Sequence, residues 1–181
     1  MTKEIITNWN VITGGPCTGK TTLVQELAKR GYATTIEHAR HYIDTMKERG
    51  RTVEEIRANA ESFQRGVLDM QIEEESGLDP EESVFLDRAL PDAMAYYRFL
   101  DLDFDERLVD QCKKYCYRTV FILDRLPLIQ DYARREDEGE QIRIHQLIIE
   151  VYRSYPCPVV MVPVLPVPER VEFVLDHIAP R

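Results

Sequence analysis

No apolar run in this chain approaches the ~20 residues that a bilayer-crossing helix needs, so no membrane span is expected. The opening stretch MTKEIITNWN lacks the apolar centre of a secretory leader, which leads to the expectation of a cytoplasmic protein. Cysteine is sparse and scattered, at positions Cys17, Cys112, Cys116 and Cys157. Cys112 and Cys116 are spaced i, i+4, but with no second pair or histidine cluster they read as reduced thiols, not as a zinc site. No internal repeat, low-complexity tract or Pro/Gly-rich linker divides the 181 residues, which read as a single domain, 44% hydrophobic and 30% charged, able to bury a sizeable core. Positive charge is in short supply: 23 Lys and Arg against 32 Asp and Glu leave a net charge of −9. Such a surface repels polyanions on average, which argues against general nucleic-acid binding. An Asn-Lys-x-Asp guanine-reading motif is missing as well, which disfavours a Ras-like GTPase.

What is present begins at Gly14. The run Gly14, Gly15, Pro16, Cys17, Thr18, Gly19, Lys20, Thr21, Thr22 fits the pattern G-x-x-x-x-G-K-[ST]. It follows a short, partly apolar segment, Trp9 to Thr13, and precedes a helical pattern with Leu23, Leu27 and Ala28 on one face, stopped by Gly31. A strand, a glycine-rich turn and a helix N-terminus make a phosphate cradle, because main-chain N–H groups converge on the anion and the helix dipole adds partial positive charge. Lys20 is expected to reach the β- and γ-phosphates of a nucleoside triphosphate, and the Thr21 hydroxyl to ligate Mg²⁺.

Further along, segments rich in β-branched or apolar residues at 33–37, 83–87, 119–123 and 158–162 read as strands. Between them lie helical patterns at about 38–49, 52–75, 92–100, 105–115, 140–154 and 168–178, the 52–75 stretch opened by a capping box of Thr52 with Glu55. Five apolar strands alternating with helices predict an α/β domain with a parallel sheet covered on both faces. Ligands bind beyond the carboxyl ends of such strands, so the residues found there carry the most information.

Three strand-end clusters stand out. Asp87-Arg88 follows Val84-Phe85-Leu86 in the Walker-B manner, a carboxylate placed to hold Mg²⁺; Asp124, after Val120 to Leu123, competes for the role, and Asp87 is preferred because Arg88 and Asp92 accompany it. Glu37 and Arg40, one helical turn apart after the second strand, read either as a base with an anion-holding arginine or as an ordinary i, i+3 ion pair. The charged segment 131–138 reads either as a solvated face or as a lid in which Arg134, ahead of Arg135, neutralises charge on a transferred phosphoryl group.

With these residues in view, the chain resembles the AAA-type P-loop domains that include the ribosylnicotinamide kinase domain of bacterial NAD-biosynthesis regulators, and more distantly nucleoside and nucleoside-monophosphate kinases. The resemblance runs from Gly14 to Thr22 through Glu37-x-x-Arg40, Asp87-Arg88 with Asp92 and Tyr96, and Asp131-x-x-Arg134 with Glu136, to Glu169-Arg170-Val171. It implies a three-layer α/β/α fold with strand order 2-3-1-4-5, an acceptor pocket over the middle helices, an arginine-bearing lid, and a loop at 163–168 against the nucleotide base. The expected activity is an ATP- and Mg²⁺-dependent phosphotransferase for a small nucleoside- or nucleotide-like acceptor, with Lys20, Asp87, Arg88, Arg134 and Glu37 catalytic and Glu37, Arg40, Arg88 and Asp92 binding substrate. The alternative is a P-loop ATPase or nucleotide-dependent sensor that engages a protein or lipid partner. ATP or GTP preference stays open at this point, as does a homodimer.

Overall fold

The computed structural model describes residues 4–104, 106–127 and 136–180. The element order is β1 (Ile5–Ile6), β2 (Asn10–Thr13), α1 (Lys20–Lys29), β3 (Ala33–Thr34), α2 (His38–Glu48), α3 (Val53–Arg57), α4 (Ala60–Gly77), β4 (Val84–Asp87), α5 (Leu90–Phe99), α6 (Glu106–Cys112), β5 (Tyr115–Cys116), β6 (Thr119–Leu123), α7 (Glu138–Arg153), β7 (Val159–Val162) and α8 (Val167–Asp176). Five strands form an all-parallel sheet in the order β3-β4-β2-β6-β7. Counted along the chain, that is the expected 2-3-1-4-5.

Central strand β2 is buried at all four positions and pairs with β4 on one side and β6 on the other. Side chains alternate across the sheet with the two-residue period of a strand. Ile12, Phe85, Phe121 and Leu123 face a layer made by α1 and α8, through Leu23, Leu27, Val171 and Val174. Val11, Leu86, Val120 and Ile122 face the opposite layer, where Leu90, Tyr97, Ile144, Ile148 and Tyr152 complete the larger core. A third, smaller cluster of Ile43, Ile56 and Phe63 ties α2, α3 and α4 together away from the sheet.

Several boundaries differ from the sequence reading, for local reasons. The second strand stops at Thr34, and Glu37 becomes the N-cap residue of α2. The single helix expected at 52–75 is two: α3 keeps the Thr52–Glu55 capping box, and Asn59 then caps α4 by accepting the Ser62 N–H. The helix expected through Tyr115 ends at Cys112, and Tyr115–Cys116 pairs in parallel with Ile5–Ile6 as a separate two-stranded sheet. Among the aromatic residues, Tyr97, Tyr115 and Tyr117 are core, while Tyr96 and Phe99 pack against that core and line a cavity. No helix among the described residues is long and apolar enough to cross a membrane.

Candidate active site

The loop between β2 and α1 takes a backbone path that few side chains tolerate. Gly14, Cys17 and Gly19 have φ of 139°, 54° and 82°, and a Cβ on Gly14 would lie 2.8 Å from the Leu123 carbonyl oxygen. Cys17 pays the strain of the left-handed region, a cost of about 1–3 kcal/mol that tends to be found at functional sites. Helix α1 opens with no side-chain cap and no acid in its first turn, so its N–H groups and dipole face the loop uncompensated. The Lys20 ammonium is folded back onto this loop, donating to the Gly15 carbonyl at 2.8 Å and the Thr18 hydroxyl at 3.2 Å. Burial, together with the nearby Arg88 guanidinium, pulls its pKa down to about 7, against the pull of Asp87, Glu37 and Asp92.

Beyond the loop opens a cavity of about 200 Å³. It is lined by Pro16, Thr18, Lys20 and Thr21 of the loop and the start of α1, by Glu37, Arg40, Arg88 and Asp92, and by Phe63, Gln64, Val67 and Gln71 of α4 with Tyr96 and Phe99 of α5. The predicted loop, Glu37/Arg40 and Arg88/Asp92 clusters are thus brought to one space. Glu37 and Arg40 do form the i, i+3 pair, at 3.6 Å, and they form it in the cavity wall.

Asp87 and Asp92 are equally buried, each 2% exposed, yet differently partnered. Asp92 accepts from the Thr13 hydroxyl (2.5 Å) and Arg88 Nη1 (2.7 Å) on one oxygen, and from the Tyr152 hydroxyl (2.5 Å) and the Ala89 N–H (3.2 Å) on the other. Asp87 Oδ1 is buried with no hydrogen-bond partner among the described residues, although its main-chain N–H donates to Thr35 Oγ1 at 3.0 Å. Burial, reinforced by repulsion from Glu37, lifts the Asp87 pKa to about 6. An orphaned buried carboxylate oxygen is costly unless something cationic satisfies it. Asp87 with the Thr21 hydroxyl and the oxygens of a bound triphosphate is the oxygen donor set that Mg²⁺ takes. Neither Asp87 nor Asp124, the competing strand-end acid, is itself among the cavity-lining residues, but the Asp87 charge acts on the cavity-lining Lys20, whereas that of Asp124 acts on Arg170 and His145.

Arg88 adopts φ 71°, also in the left-handed region. Its guanidinium is fixed by the Asp92 ion pair, by a 3.0 Å hydrogen bond to the Tyr96 hydroxyl and by lying 5.2 Å from the Tyr96 ring centroid. Burial opposes its charge, and Tyr96, Asp92 and Glu37 together outweigh that and raise its pKa. Burial likewise pushes the Tyr96 phenol up to about 12, so it stays a hydrogen-bonding hydroxyl. Asp131, Arg134 and Arg135, the lid of the sequence reading, lie outside the described residues; Glu136, at the near end of that segment, lines the cavity. The 163–168 loop, expected against a base, carries Val164 and Val167 exposed at 56% and 37%.

Sequence reasoning missed Thr13, Thr35, Tyr152, Gln64 and Gln71. Thr13, Thr35 and Tyr152 have partners distant in sequence, and Gln64 and Gln71 are marked only by their place in the cavity lining.

A family model described as an AAA domain matches residues 9–170. The chain belongs to the AAA domain family. Among solved structures, this AAA domain is similar to NadR in complex with NAD and AMP-PNP, at 17% identity and TM-score 0.70, covering 95% of this chain and 49% of NadR. A NadR complex with NR gives 16% identity and TM-score 0.69, over 97% of this chain and 52% of that one. The deoxyadenosine kinase of M. mycoides with bound dATP gives 15% identity and TM-score 0.64, over 93% of this chain and 97% of the kinase. The domain thus spans about half of NadR and nearly all of the kinase, and at these identities the likeness establishes the fold. No curated protein matches the chain.

Proposed function

We propose that this AAA domain is an ATP- and Mg²⁺-dependent phosphotransferase whose acceptor is a small nucleoside- or nucleotide-like molecule. The observation that carries this reading is the continuity of the cavity. One space is lined by Lys20 and Thr21, by Glu37 and Arg88, and by three aromatic residues with two glutamines. A hydrolase needs room at the phosphate for water alone. Here the aromatic side chains of Phe63, Tyr96 and Phe99 line the cavity together with Gln64 and Gln71, a mixture of apolar and amide groups that suits a flat heterocycle with hydrogen-bonding edges.

In this reading the loop amides and Lys20 hold the triphosphate, and Thr21 and Asp87 hold Mg²⁺, which when bound would neutralise charge on the β- and γ-oxygens. Glu37 accepts the proton of the acceptor hydroxyl as its oxygen bonds to the γ-phosphorus and the bond to the β–γ bridging oxygen breaks, releasing ADP. Arg88, held by Asp92 and Tyr96, faces the negative charge spread over the equatorial oxygens, joined in this proposal by Arg134. Arg40 holds an anionic group of the acceptor. Such a reaction is mostly positioning and electrostatics, which fits a site with no activated nucleophile.

The test is an ATP/Mg²⁺ assay against nucleosides, nucleoside monophosphates and ribosylnicotinamide, with ADP and phosphorylated acceptor quantified together. The proposal expects the two in equal amounts with one acceptor class. ADP matched by free phosphate whatever is added would overturn it in favour of an ATPase or sensor.

A further inference from the structure

The phosphate loop is gripped from outside the cavity by α7. The Gly15 N–H donates to His145 Nδ1 at 3.1 Å, and Gln141 Nε2 donates to the Pro16 carbonyl at 2.9 Å and the Leu126 carbonyl at 3.1 Å. Both side chains are buried, at 8% and 1% exposure. The contact is tight: a Cβ on Gly15 would lie 2.9 Å from the His145 Cβ and 3.2 Å from the Gln141 carbonyl oxygen. Gly15 is not among the cavity-lining residues, so its N–H serves the loop's shape and not the ligand. Neither the loop motif nor the chemistry assigned above uses these two side chains.

We propose that His145, as the neutral tautomer protonated on Nε2, and Gln141 are positioning residues that lock the phosphate loop to α7, and that the lock opens when His145 is protonated. The proposal rests on the reading of Gly14–Thr22 as a triphosphate site. Only an imidazole with a free Nδ1 lone pair can accept the Gly15 N–H; protonation there sets two N–H groups face to face. The groups that face His145 favour the neutral form. Burial, first, and then the Arg125 and Lys20 charges lower its pKa below 6.5, while Asp124 works the other way. Because the folded value is lowered, the lock is complete above pH 6.5 and is lost as pH falls through that lowered value.

The tests are a ¹⁵N NMR titration of the ligand-free protein and binding of a fluorescent ATP analogue between pH 5 and 8. NMR is expected to show His145 protonated on Nε2 alone at pH 7, with the Gly15 amide shift following its titration. At pH 7.5, His145→Phe, which fills the space without an acceptor, is expected to weaken binding about tenfold, and Gln141→Leu similarly. His145→Asn puts an amide oxygen near the Nδ1 position; it is expected to bind within about threefold of the parent and to lose the acid-side weakening that the parent shows. Titrations of Lys20, Asp87 and the analogue itself are common to both proteins, so the difference between the two profiles isolates His145. A proton on Nδ1 at pH 7, wild-type binding by His145→Phe, or an unchanged pH profile in His145→Asn would each overturn the proposal. None of these readings depends on whether the domain transfers phosphate, so they stand apart from the failure of the proposed reaction.

Discussion

Residues 14–22 are shaped by their backbone, with positive φ values at Gly14, Cys17 and Gly19 and contacts that leave Gly14 no room for a Cβ. At the inner end, the α2, α4 and α5 side of the cavity, the lining residues come from helices: Ile43 from α2, Phe63, Gln64 and Gln71 from α4, Tyr96 and Phe99 from α5. A small cluster there joins α2, α3 and α4 around buried Ile43, Ile56 and Phe63, with Ala39, Tyr42, Met46, Val53 and Val67 packed against them, apart from the sheet core. A loop shaped by backbone conformation tolerates few sequences, since its main-chain groups must keep one arrangement to receive an anion. A wall made of side chains can be recut residue by residue without moving the sheet. The same fold can therefore keep its phosphate chemistry while its acceptor changes, which is why the loop reads so plainly and the acceptor so poorly.

The largest break should come at the cradle. Lys20→Ala removes the one ammonium in the loop and is expected to weaken triphosphate binding by at least about 100-fold, read by analogue titration. With Lys20 at about 7 in the free protein, phosphate binding should also draw in a proton at pH 7.5, because anions favour the ammonium. Calorimetry in buffers of different ionisation enthalpy measures that uptake; none would mean Lys20 is already fully charged before binding. Asp87→Asn comes next, with turnover expected to fall about 100-fold or more while nucleotide affinity drops only severalfold. Retained turnover would transfer the metal role to Asp124.

How far the sequence carried the reading follows from the same contrast. The five apolar strands, the glycine loop and the Asp87-Arg88 strand end are local patterns, and each was readable where it stands. Dipeptide strands Ile5–Ile6 and Tyr115–Cys116 are too short to show a period. The break between α3 and α4 was signalled by Asn59, but apolar residues at Ile56 and Phe63 continue a helical pattern across it. The four donors to Asp92 come from β2, the β4–α5 turn and α7, with Thr13 and Tyr152 separated from it by 79 and 60 residues. No local pattern marks such a hub; it exists only once the sheet has assembled.

The inner end offers a sharper, smaller test. Gln71→Leu keeps the size of a 3% exposed side chain and removes its amide from the cavity wall. An acceptor KM raised about tenfold, with nucleotide affinity and kcat nearly unchanged, is the expected split. Equal changes in both constants would mean that the inner end and the cradle are not separable.

Outside the cavity lining, Glu75 on α4 accepts the Leu90 N–H and the Tyr117 hydroxyl with its carboxyl, each at 2.8 Å, and so fixes the start of the α5 helix that carries Asp92. Burial lifts its pKa to about 8, with Glu74 and Asp92 adding repulsion and its hydrogen bonds opposing the rise. A carboxyl raised on folding stabilises the native state fully below the unfolded value of 4.5, and that contribution erodes as pH climbs through about 8. Glu75→Gln keeps a carbonyl oxygen for the Leu90 N–H and carries no charge at any of these pH values. Its melting temperature should therefore fall less than the parent's between pH 5 and 8, by at most a few degrees per pH unit, since one proton contributes no more than about 1.4 kcal/mol per unit. Turnover near pH 6, where both side chains are neutral, should change less than about twofold, because Arg88 and Asp92 keep their positions. Parallel melting curves for the two proteins would show that Glu75 does not titrate with folding, and the α4–α5 junction would then owe nothing to a protonated carboxyl.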